Sequence, residues 1–448
     1  MRKFLLAVFT FFIVLSIHSQ EIGHFDPTFN PVEITTPGPI VPHLDALLTQ
    51  PDGKILTAGM VYTDYEVQTG NSIFAFLVTR INYDGTIDKT FGKNGKVTEH
   101  NIYNPGASGP FVALQKDGKI LVACSKRSKQ QYGTIGNYDI TLFRFNKNGS
   151  TDSTFGLNGS SMIDLGTNNP TFDVASSIAL QGNGKILVAA NAFDEATYKN
   201  QGVLVRFDQN GTVDSIMRFN SDRGGERTTV VTAYEDNSFI FSGLRSDGGI
   251  LLYSSTFGER IIHNTNIDQQ YYNAGQAHHK LDNGKIAVLS RGYGTPVSYV
   301  ALLKQDGNVD SSFSGDGFTD IYTWGYSLTS QKDLKIIVTA ASGESLLRLT
   351  PDGEPDATFG PYGMAAGGSL VTIYGNRLYA LLGNFVAAFT LYTDPRIIKV
   401  NLVGNTDHYN NKEWNNWSNV RNLHFNNFFY SDSTYSPIDA VMSNRKGV

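Results

Sequence analysis

The segment QPDGKILTAG, Gln50 to Gly59, is written again and again along this chain, and that repetition limits the available folds more than any other feature. With its lysine as register mark, clear copies lie at Lys54, Lys119, Lys185 and Lys285. Weaker ones lie at Ser238, Lys335 and Arg377. The seven copies are spaced by 65, 66, 53, 47, 50 and 42 residues. Such spacings exceed most solenoid repeats and match a blade of four strands. Forty-five glycines, 12% aromatics and only 17% charged residues suit a turn-rich β protein. The expected fold is all-β, a seven-bladed β-propeller of four-stranded antiparallel blades.

A second phrase follows most copies of the first. It reads VTRINYDGTIDKTFGKNGKV at Val78 and LFRFNKNGSTDSTFGLNGSS at Leu142. Further versions start at Leu204, Leu302 and Leu346. An apolar run, a turn on Asp-Gly or Asn-Gly, an Asp and then Thr-Phe before a glycine-rich stretch are strand and hairpin signals. No segment shows helical periodicity. The paired phrases resemble the delta-60 repeat proteins of bacteria over roughly residues 24 to 392. That resemblance implies a β-propeller and, for many members, export. The segment HFDPTFN at His24 carries the end of the second phrase without its beginning, while the seventh unit carries the beginning without the end. An N-terminal strand completing the seventh blade would close the ring and leave no open sheet edge.

The repeated residues read as framework. Arg80, Arg144, Arg206 and Arg348 each precede an acid by eight residues, namely Asp88, Asp152, Asp214 and Asp356. A strand, tight turn and return strand would bring each pair together. Phe29, Phe91, Phe155, Phe313 and Phe359 are expected to anchor the contacts between blades. NYDGTID at Asn82 lacks the alternating carboxylates and closing Glu of a calcium loop, so no metal site and no cofactor are expected. His278 and His279 point to opposite faces of a strand and make a poor shared ligand set. Cys124 is the one cysteine, which excludes an internal disulfide, and a small buried side chain is expected there. Neither a zinc-protease helix, a serine elbow nor a phosphate loop occurs.

The chain divides into a signal peptide at 1–19, a propeller at 20–392 and an Asn- and aromatic-rich tail at 393–448. Arg2 and Lys3 precede a largely apolar run of fourteen residues, Phe4 to Ile17, a length that suits a secretory signal and not a membrane span. Without a following cysteine a lipoprotein anchor is not expected. The product would be secreted or held at the cell surface, with no membrane insertion after signal cleavage. The net charge of −5, without a basic stripe, argues against nucleic acid. The tail holds ten Asn between 401 and 430 and reads equally as a sugar-stacking surface or as the start of a further C-terminal domain.

Features that break the repeat are the candidates for recognition. The segments between second and third strands carry Tyr62, Tyr65, Tyr132, Tyr138 and Tyr198, and the tail carries Trp414 and Trp417. Rigid aromatic rings beside polar groups suit a carbohydrate or protein ligand. A binding or adhesion scaffold is expected, with no catalytic residue assigned. The competing class is a polysaccharide-active enzyme, a glycoside hydrolase or lyase with its site in the propeller funnel. Convergent carboxylates or histidines in the channel would favour the enzyme, and an apolar or Ser/Thr-lined channel the scaffold.

Overall fold

A computed structural model describes residues 25–36, 42–66, 71–103, 109–127, 138–166, 171–194, 199–219, 227–244, 250–256, 258–262, 273–292, 298–321, 325–340, 345–366 and 368–391, with the backbone at 16–19 and 398–401. Twenty-eight of the strands form seven four-stranded antiparallel blades arranged as a ring. Blade 1 comprises His43–Thr49, Ile55–Glu66, Asn71–Ile81 and Lys96–Tyr103. Blade 2 comprises Phe111–Leu114, Ile120–Arg127, Tyr138–Phe145 and Ser160–Ile163. Blade 3 comprises Thr171–Leu180, Ile186–Asp194, Lys199–Phe207 and Val213–Phe219. Blades 4, 5 and 6 start with the inner strands Arg227–Ala233, Asn273–Lys280 and Leu328–Ser330. Blade 7 holds Leu370–Tyr374, Arg377–Leu382 and Phe385–Thr390, and takes Val32–Glu33 from the N-terminal side as its outer strand. The ring closes as the split phrase requires. Among the described residues no helix is long and apolar enough to cross a membrane.

Each blade is sandwiched between two others, so its middle strands are covered on both faces. This is why KILVA-type segments read as continuous apolar runs and lack alternation. Seven clusters of buried side chains sit one at each junction between neighbouring blades. Phe29, Phe91, Phe155, Phe313 and Phe359 are all fully buried in these clusters, as their recurrence predicts. Burying such a ring contributes about 2–3 kcal/mol.

Blades 1, 2 and 3 are joined further into one sheet of twelve strands. The end of the outer strand of blade 1 pairs Ile102 with Lys126 and Tyr103 with Ser125. Phe172, on the inner strand of blade 3, pairs with Tyr138 of blade 2. These lateral bonds all lie at the ends of strands remote from the repeated turns.

Candidate functional site

The two faces of the ring differ in kind. One face collects the turns between inner and second strands and between third and outer strands, where both repeated phrases fall. There Lys54 and Arg80 grip the same oxygen of Asp88, at 2.6 and 2.8 Å. Asp88 also accepts from the Thr90 hydroxyl at 2.6 Å, and the Arg80 guanidinium lies over the Phe91 ring at 4.6 Å. Lys119 and Arg144 repeat this on Asp152, and Lys335 and Arg348 on Asp356. The lysine of the first phrase and the arginine of the second therefore hold one carboxylate, which explains why the phrases travel together. Burial alone would raise Asp88. Hydrogen bonds from Lys54 and Thr90, with the Arg80 charge, hold it well below the usual carboxylate range.

The same arginines link one blade to the next. Arg80 Nη1 donates to the Lys147 carbonyl of blade 2 at 2.5 Å, and Arg144 Nη1 to the Gln209 carbonyl of blade 3 at 2.7 Å. Arg348 Nη1 reaches the Leu391 carbonyl at 3.3 Å. In blade 5 the arginine position is Leu302, and Lys285 holds Asp310 at 2.6 Å together with the Ser312 hydroxyl at 2.8 Å. In blade 3 the pair of Arg206 and Asp214 forms, but about a third of each side chain is exposed. Blade 7 solves the problem differently. Ala388 replaces the arginine, and Arg377, at the lysine position of the neighbouring strand, fills the vacancy. It donates to Asp26, Thr28 and the Tyr83 carbonyl of blade 1. Glycine with positive φ closes the inner turns, for example Gly53 at φ 80°, and Asn237 and Leu334 adopt the same left-handed backbone where glycine is missing.

The opposite face carries the connections between second and third strands and between blades. The non-repeating segments between second and third strands are themselves partly strand. In blade 1 the strands run on through Glu66 and resume at Asn71 as an extended hairpin, in which Val61 pairs with Ala75, Tyr62 with Phe74 and Tyr65 with Ser72 around a bulge at Thr63. Tyr62 lies on this hairpin, exposed, with its ring edge-on to Phe74 at 5.9 Å between centroids. Tyr65 lies on the same strand, opposite Ser72; its side chain, with Tyr132, Tyr198, Trp414 and Trp417, lies outside the described residues. Tyr138 is not a loop residue. It opens a strand of blade 2 and is 5% exposed, since its pairing with Phe172 draws it between the blades.

The inner strands line a central channel whose cavity of about 220 Å3 is bounded mainly by Ala46, Leu47, Leu48, Phe111, Ile178 and Val371. Ser177 and Ser327 add hydroxyls, and among the described residues Asp45 is the single carboxylate of this lining. Four inner strands bulge at the same level, and the extra residue is polar in each: Asp45, Ser176, Thr229 and Gln276. His43, exposed, meets Asp45 at 3.0 Å, and this bond raises the imidazole pKa. Burial raises the Asp45 carboxyl, against the pull of His43. His278 and His279 do point apart. His278 is buried with Nε2 3.2 Å from the Val230 carbonyl, and burial pushes it down to about 4.

A further group escaped the sequence reading. Asp139, Asp164 and Asp173 bring one carboxylate oxygen each within 4.8 Å of the others. They come from the third strand of blade 2, the connection after its outer strand, and the inner strand of blade 3. Their spacings of 25 and 9 residues match no motif, and only the lateral pairing of blades 2 and 3 brings them together. Burial, with Asp164 and Asp139 adding to it, pushes Asp173 up to about 7, against the Leu165 amide that donates to it.

The sequence is similar to the family model of a β-propeller domain of unknown function (DUF5122) over residues 50–91, 131–155, 181–215 and 281–313. No curated protein matches the sequence. Among solved structures, the chain is similar to a catalytically inactive virginiamycin B lyase from Staphylococcus aureus with quinupristin, at 12% identity and TM-score 0.48, covering 81% of this chain and 99% of the other. A protein of unknown function from Dyadobacter fermentans gives 13% and 0.43, covering 84% and 99%. YCF48 bound to D1 peptide gives 8% and 0.44, covering 83% and 97%. The chain is similar to a propeller repeat family and folds as a β-propeller.

Proposed function

We propose that this chain is an exported propeller of delta-60 type that serves as a binding or adhesion scaffold, recognising a carbohydrate or protein ligand through the face opposite its repeated turns. The observation that carries this reading is the division between the faces. On one, the recurring charged and aromatic side chains are consumed by staples within and between blades. On the other lie the non-repeating hairpins, exposed Tyr62 and the polar bulges around the channel mouth.

A glycosidase needs two carboxylates about 5 to 10 Å apart across its substrate. Among the described residues the channel cavity offers Asp45 as its one carboxylate, among Ala, Leu, Val, Phe, Ile and Ser, and this lining supports the scaffold. A glycan-array screen of the chain from Gln20, with a polysaccharide-turnover assay in parallel, tests the proposal. Binding to a glycan class without turnover is expected. Turnover of any polysaccharide would replace the scaffold by the enzyme.

A further inference from the structure

We propose that Asp139, Asp164 and Asp173 bind a calcium ion in the seam between blades 2 and 3, a site independent of whatever ligand the propeller recognises. Three oxygens within 4.8 Å of one another fit one such ion, because two ligands on opposite sides of calcium lie about 4.6–5.2 Å apart. Magnesium keeps most of its waters and takes one or two carboxylates, so a set of three favours calcium. The donor set is all carboxylate, which selects a hard cation over zinc or copper.

The second observation is Asp173 itself. Its side chain is completely buried, and Oδ1 has no hydrogen-bond partner, although Oδ2 accepts the Leu165 amide at 2.6 Å. An ionised carboxylate buried with one oxygen unpartnered beside two further acids is costly and is relieved by a proton or by a cation, and three carboxylates converging on one point suit the cation. Two cations nearby also bond other groups, and the Arg218 charge still bears on Asp173. Lys126, the cross-strand neighbour of Asp139, bonds Glu99 at 2.6 Å. Arg218 bonds the Leu165 carbonyl and Gln201, at 2.8 and 2.7 Å.

The framework is rigid. Leu165 is buried in the core between blades 2 and 3, which fixes the connection that carries Asp164. The Gly166 amide orients Asp164 at 2.8 Å. Asp164 is exposed, giving the ion a way in from solvent and room for water ligands.

The test is calorimetric titration and thermal melting of the full chain, stripped with chelator and then given calcium or magnesium chloride. Calcium should bind with half-saturation between about 10⁻⁴ and 10⁻³ M, as extracellular modules do. It should raise the Tm by about 3 °C at ~10 mM. Asp173→Asn should abolish both effects. Absence of calcium binding by the unaltered chain, the same calcium response in Asp173→Asn, or a response to magnesium with none to calcium would each overturn the site. Should Asp173→Asn not accumulate folded, the exposed Asp164→Asn decides. It should bind calcium about tenfold more weakly with an unchanged circular dichroism spectrum, and equal affinity would contradict the site.

Discussion

Arg377 donates from Nε to Asp26 at 2.5 Å, a bond between residues 351 positions apart in the chain. Both side chains are nearly buried. The bond reproduces in blade 7 the staple that other blades build within one hairpin, and it ties the N-terminal strand to the last blade. Breaking a buried pair from one side leaves a charge uncompensated and costs about 3–5 kcal/mol. Asp26→Ala should therefore lower the Tm by several degrees, and deletion of residues 20–32 should lower it further. Thermal melting checks both, and a Tm unchanged by the deletion would refute closure by the N-terminal strand.

The staples should differ in worth according to burial. Arg348 is 1% exposed and bonds Asp356, Thr358, Gln331 and the Leu391 carbonyl over the Phe359 ring. Arg348→Leu should cost about 3–5 kcal/mol in chemical denaturation. Arg206→Leu, which creates the arrangement blade 5 already has at Leu302, should cost less than about 1 kcal/mol because that pair is solvated.

Acid should unfold the ring in two stages. His278 is depressed to about 4 by burial, below its ordinary 6.5, so the unfolded chain binds its proton first. Its contribution is complete above pH 6.5 and is lost as pH falls toward 4, by about 3 kcal/mol. The staple carboxylates follow. Lys285 holds Asp310 down to about 2, and Asp356 reaches the same value as bonds from Thr358 and Lys335 outweigh its burial. Their stability is present above the ordinary carboxylate pKa of 3.8 and is lost as pH falls through about 2. From pH 8 to 2, the denaturation midpoint of the unaltered chain compared with that of His278→Gln should show the first decline as a difference. Asp173, raised to about 7, gains stability as pH falls over the same window and opposes that decline in the total. Both chains should show the second decline.

Burial pushes the Cys124 thiol far above its ordinary value. It should react with a thiol reagent only after unfolding, with one equivalent titrated in denaturant and less than about a tenth in the native chain.

The repeat revealed the ring because each blade must bury the same faces and close the same turns. The spacing of Arg80 and Asp88, the Phe positions and the split phrase at Asp26 translate directly into contacts. The role of the phrase lysine was less legible, since Lys54 meets Asp88 across strands 34 residues apart. Tyr138 was misplaced because lateral pairing between blades has no sequence period. The acids at 139, 164 and 173 were missed for the same reason. They belong to three segments that only the packed seam unites.

The central claim is that the repeated face builds and the other face binds. Ligand affinity on the array hit, measured for two double variants, tests it most directly. Tyr62→Ala with Asp45→Asn alters the non-repeating face, while Lys116→Ala with Glu235→Ala removes an exposed ion pair among the repeated turns. The account predicts at least about tenfold weaker binding for the first pair, with an unchanged circular dichroism spectrum, and less than about twofold change for the second. Weakening by the second pair with none by the first would contradict it.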